Sequence, residues 1–61
     1  EKQLNKLERE IASVEARLQE NAAAQEENSS DYEVLMELTA EGALIEAELE
    51  DLYARWEELA Q

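Results

Sequence analysis

Ile45-Glu46-Ala47-Glu48-Leu49-Glu50-Asp51-Leu52-Tyr53-Ala54-Arg55-Trp56-Glu57-Glu58-Leu59 decides how this chain folds. Its large apolar residues, Ile45, Leu49, Leu52, Trp56 and Leu59, recur at alternating gaps of four and three. That rhythm is the seam of a coiled coil, in which one narrow stripe of a helix faces a partner helix. It extends backward through Leu38 and Leu35, with Gly42 standing where another apolar residue is expected. A second copy opens the chain at Leu4, Leu7, Ile11, Val14 and Leu18, after which Asn21 and Gln25 occupy seam positions. Two seams separated by a break predict an all-α fold, a two-helix antiparallel coiled-coil hairpin.

The break is Asn28-Ser29-Ser30, three residues whose side chains compete for nearby backbone groups and favour turns. The reading is therefore helix 1 over about 2–26, a turn over about 28–30, and helix 2 over about 31–60. Ser30-Asp31-Tyr32-Glu33 matches a capping box, with Ser30 as N-cap and Glu33 at the third helical position. A turn centred near Asn28 sets Leu4 against Leu52, Leu7 against Leu49, Ile11 against Ile45, Val14 against Gly42 and Leu18 against Leu38. In that register Arg17 meets Glu41, while Glu10 faces Glu48 and Glu8 faces Glu46. Trp56 and Leu59 then overhang the start of helix 1, which predicts that the chain is a piece of a longer protein whose upstream part covers them.

Composition removes most chemistry. The 61 residues include no Cys, no His and no Pro, and a single Gly. Thiolate chemistry, disulfides and imidazole catalysis are thereby excluded, along with tetrahedral zinc. No apolar run reaches the ~20 residues that span a bilayer, so a cytoplasmic, monomeric fragment with no membrane partner is expected. Seventeen acidic residues against five basic ones give a net charge of −12, which repels phosphate as a whole and favours basic partners. No catalytic or metal site is predicted: Glu46/Glu50 and Glu57/Glu58 lack the loop geometry of a calcium site. The nucleic-acid contact candidates are Lys2, Lys6 and Arg9, which share one outward face of helix 1 at i, i+4 and i+7. Arg55 joins them, and with Tyr53 and Trp56 it makes a mixed basic and aromatic group able to stack on a base; core packing of Trp56, flanked by Tyr53, is the favoured role for the aromatics.

Three stretches also carry a family likeness. Leu49-Glu50-Asp51-Leu52-Tyr53-Ala54-Arg55-Trp56-Glu57-Glu58-Leu59 resembles the end of the C-terminal coiled-coil domain of ABC-F proteins, especially the Uup-like branch. Tyr32-Glu33-Val34-Leu35-Met36-Glu37-Leu38-Thr39 is similar to the start of that domain's second helix, and Leu7-Glu8-Arg9-Glu10-Ile11 to its first. The resemblance implies a parent with two tandem ATP-binding cassettes, using ATP and Mg, that acts on the ribosome in translation. In the Uup-like branch it implies DNA binding by this terminal domain. The basic stretch that the family carries before helix 1 is not in this chain, nor is the proline often found in its turn. The expected function is thus a non-catalytic accessory arm that holds an ABC-F ATPase on the ribosome or on nucleic acid. The competing reading is a protein–protein coiled coil, serving as a dimerisation module or spacer.

Overall fold

The computed structural model describes residues 2–61, which form two helices, α1 (Lys2–Glu27) and α2 (Tyr32–Ala60). They run antiparallel as a rod of 45 × 14 × 10 Å. Both are rich in Ala, Glu and Leu and free of proline, so local propensity favours long uninterrupted helices. Such helices are held mainly by tertiary packing of one apolar stripe. Here that stripe buries Leu7, Ile11 and Val14 of α1 against Ile45 and Leu52 of α2, with Leu18, Leu49 and Trp56 packed around them. Leu4, Leu35 and Leu38 are half-buried, and Leu59 is exposed at the open end.

The turn needs no left-handed residue; among the described residues no φ is positive. Asn28 ends α1 by donating twice to the Ala24 carbonyl, from its backbone N–H at 3.0 Å and its side-chain amide at 2.8 Å. That satisfies one of the carbonyls a helix end leaves free. The Asp31 N–H then donates to the Asn28 carbonyl at 2.9 Å, closing the turn.

This closure moves the cap. Asp31, not Ser30, is the N-cap: its backbone is extended, and its carboxylate accepts from the Val34 N–H at 3.3 Å. The Ser30–Glu33 box is not formed, because the third helical position is Val34 once the helix begins at Tyr32. Asp caps as well as Ser and adds a negative charge where the helix dipole favours one. Ser30 lies within the turn instead.

The register also differs, by one heptad. Asn21 lies directly against Gly42, and cross-helix bonds join Arg17 to Glu48, Glu15 to Tyr53 and Glu8 to Trp56. Those contacts set Leu18 beside Ile45, Val14 beside Leu49, Ile11 beside Leu52 and Leu7 beside Trp56. Trp56 therefore has its partner within the hairpin, and the predicted overhang does not exist. Arg17 pairs with Glu48 rather than Glu41. Glu8 and Glu48, which an alignment centred on Asn28 sets against other glutamates, each accept a hydrogen bond from the opposite helix. A seam with a seven-residue period looks the same after a seven-residue shift, so apolar spacing alone cannot separate the two alignments. Polar contacts do.

Candidate functional site

The most specific polar arrangement lies inside the seam. Asn21 is a buried polar residue, 4 % exposed. Its amide donates to the Leu38 carbonyl at 2.9 Å, and its side-chain oxygen accepts from the Gln25 amide at 2.7 Å. Leu38 is four residues before Gly42, so that carbonyl is also the one the Gly42 N–H meets in a regular helix. Glycine is what lets Asn21 come so close. A Cβ built on Gly42 would stand 2.7 Å from the Asn21 side-chain oxygen and 3.4 Å from its carbonyl carbon. Gly42 thus costs helix propensity locally and admits a satisfied polar contact across the helices. Spacing places Asn21, Gln25 and Gly42 on the seam, and the missed signal was that an amide and a glycine on facing helices complement each other.

The outer contacts are polar and exposed. Arg17 donates to both Glu48 oxygens, at 3.2 and 3.3 Å, with side chains 53 % and 43 % exposed. Solvent screening holds such a pair below ~1 kcal/mol. Arg55 pairs with Asp51 one turn back at 3.0 Å. The Trp56 indole N–H donates to Glu8 at 3.1 Å, and the Tyr53 hydroxyl donates to Glu15. Arg55, Tyr53 and Trp56 therefore each have a protein partner, and Trp56 packs against the core rather than standing open for stacking on a base. Lys2, Lys6 and Arg9 are exposed on α1, on the side turned away from the seam, and none makes an ion pair among the described residues.

The bond to Glu15 raises the Tyr53 pKa above its ordinary 10.0, chiefly because the neutral hydroxyl is the donor; burial and the Glu15 charge add to it. A raised folded-state value means the contribution to stability is complete below the unfolded pKa and is lost as pH rises through the folded one. Wild-type melts should therefore fall more steeply than those of Tyr53→Phe across roughly pH 9–12. Parallel slopes for the two proteins would show that the hydroxyl does not couple to folding.

Among the described residues no three carboxylates converge as a metal site, and no helix is long and apolar enough to cross a membrane. The described residues form a two-helix rod whose side-chain pairs Arg17–Glu48, Trp56–Glu8 and Tyr53–Glu15 join one helix to the other. The chain belongs to the ABC transporter C-terminal domain family, which it matches over residues 1–61. It is accordingly an accessory, non-catalytic domain of an ABC protein and does not contain the ATPase site. Neither curated proteins nor solved structures gave a match.

Proposed function

We propose that this hairpin is the terminal arm of an ABC-F ATPase of the Uup-like branch, and that it helps hold its cytoplasmic parent on nucleic acid, either ribosomal RNA or DNA. The family membership supports an arm on an ABC protein. The observation that carries the nucleic-acid part is the stripe of Lys2, Lys6 and Arg9, exposed together near the open end of the rod. ATP and magnesium act in the cassettes of the parent. The residues here do not suit a nucleotide: the single glycine, Gly42, is buried in α2, so no glycine-rich loop is available to cradle phosphates.

Three cations amid a net charge of −12 give weak binding. Fluorescence anisotropy with single- and double-stranded oligonucleotides should yield a Kd no tighter than the ~10⁻⁴–10⁻⁶ M of non-specific contact. On duplex, the slope of log K against log salt should be near −3, as about three neutralised phosphates require. Changing Lys2, Lys6 and Arg9 together to glutamate should abolish binding. Tight binding that survives ~150 mM salt and ignores that triple change would contradict the assignment of these residues.

A further inference from the structure

The middle of the chain differs in character from its two ends. Residues 18–54 contain eleven acidic residues and no lysine or arginine. All five cations lie outside that span, at Lys2, Lys6, Arg9, Arg17 and Arg55. Within it, running from half-buried Leu35 at the edge of the seam onto the exposed side of α2, Tyr32, Leu35, Met36, Thr39, Ala40 and Ala43 line one shallow apolar groove. Tyr32 is 74 % exposed and Met36 55 % exposed. The Thr39 hydroxyl is turned back onto the Leu35 carbonyl at 2.8 Å, so it does not break the apolar character of the strip. Asp31 stands at one end of the groove, Glu33 and Glu37 follow on α2, and Glu46 and Glu50 lie beyond Ala43. Among the described residues, none of these five carboxylates has a cationic partner.

That combination selects an occupant. Nucleic acid and anionic membranes are repelled by the acidic surround, and a second copy brings its own −12 charge to the same place. A cationic amphipathic helix satisfies both features: its apolar stripe fills the groove and its lysines or arginines reach the flanking carboxylates. The size fits too, since residues 32–43 make about 18 Å of helix, a little over three turns. The groove lies at the turn end of the rod, away from both Lys2 and Ala60, so a segment joined to either helix end would have to run back along the rod to reach it. We infer that this face docks a cationic amphipathic helix of a separate protein. The site is independent of the basic stripe at the other end, and oligonucleotide binding can fail without affecting it.

The probe is a synthetic amphipathic peptide of about 18 residues, with leucine on one face and lysine on the other. One control peptide has the same composition scrambled to destroy the apolar face; another replaces lysine with glutamate. In titrations of the isotope-labelled hairpin at physiological salt, only the first peptide should bind, shifting the amides of Tyr32, Met36, Ala40 and Ala43. Met36→Glu should weaken it by about tenfold or more, and Glu33→Lys with Glu37→Lys by a comparable factor. Both changes are at exposed positions, and melting curves verify that the variants stay folded. Several results would overturn the proposal: equal binding of the scrambled peptide, shifts centred elsewhere, indifference to Met36→Glu, or no binding at all. A dimer that buries Met36, or an oligonucleotide that shifts the same amides, would assign the face to another occupant.

Discussion

Ile45→Ala should leave the hairpin largely unfolded at physiological temperature. Ile45 is the most buried apolar side chain, 3 % exposed, in a core of five buried residues. Removing such a side chain costs ~2–5 kcal/mol, from lost burial and the cavity left behind. A core of this size supplies about 3–5 kcal/mol in total, so the loss consumes most of the stability. Leu44 is the neighbouring control. It is 73 % exposed, and Leu44→Ala should change stability by no more than ~0.5 kcal/mol. Circular dichroism melts of the two variants read the difference directly. Similar losses for both would mean that α2 does not face α1 with the Ile45 side.

Gly42→Ala should destabilise the hairpin, although alanine is the better helix former by about 1 kcal/mol. The added Cβ would meet the Asn21 oxygen at 2.7 Å, so Asn21 must move. Moving it breaks its bonds to Leu38 and Gln25, and a buried amide without partners costs ~1–3 kcal/mol. The clash outweighs the propensity gain, giving a net loss of about 1 kcal/mol and a fall in Tm of roughly 4–8 °C. Asn21→Ala in the same chain should reverse the sign, because the clash and the unsatisfied amide vanish together while both helices gain propensity. A double-mutant cycle should therefore return a coupling of ~1–3 kcal/mol between positions 21 and 42. Additive effects would place Asn21 and Gly42 apart.

These two positions also explain how much the sequence discloses. The helices and their antiparallel packing were legible because seam residues such as Leu7, Ile11, Ile45 and Leu52 repeat at helical spacing with a turn-forming break between them. The exact alignment was not, because the seam repeats every seven residues. Centring the turn on Asn28 selects the alignment that leaves Trp56 bare. The alignment found brings Trp56 onto Leu7 and Glu8, and it is the one in which the seam's buried amide meets its only glycine. The cap was misplaced by one residue for a related reason: Ser30 and Asp31 are equally good caps, and the Asp31 bond to Asn28 decides between them.

The candidate surfaces were legible unevenly. Spacing alone put Lys2, Lys6 and Arg9 on one face. That Arg55, Tyr53 and Trp56 are engaged by Asp51, Glu15 and Glu8 follows from the register for the last two, and so was out of reach. The apolar groove at Tyr32 and Met36 was not legible because, Leu35 apart, its residues fall outside the seam, where single apolar side chains carry no signal. Only their shared face, in a span without cations, gives them meaning.

Nuclear Overhauser contacts from the Ile11 methyl groups decide the alignment. The heptad set by Asn21 and Gly42 predicts contacts from Ile11 to Leu52, with the Trp56 indole close to Leu7. Contacts from Ile11 to Ile45, with Leu52 beside Leu4 and the indole free, would contradict it.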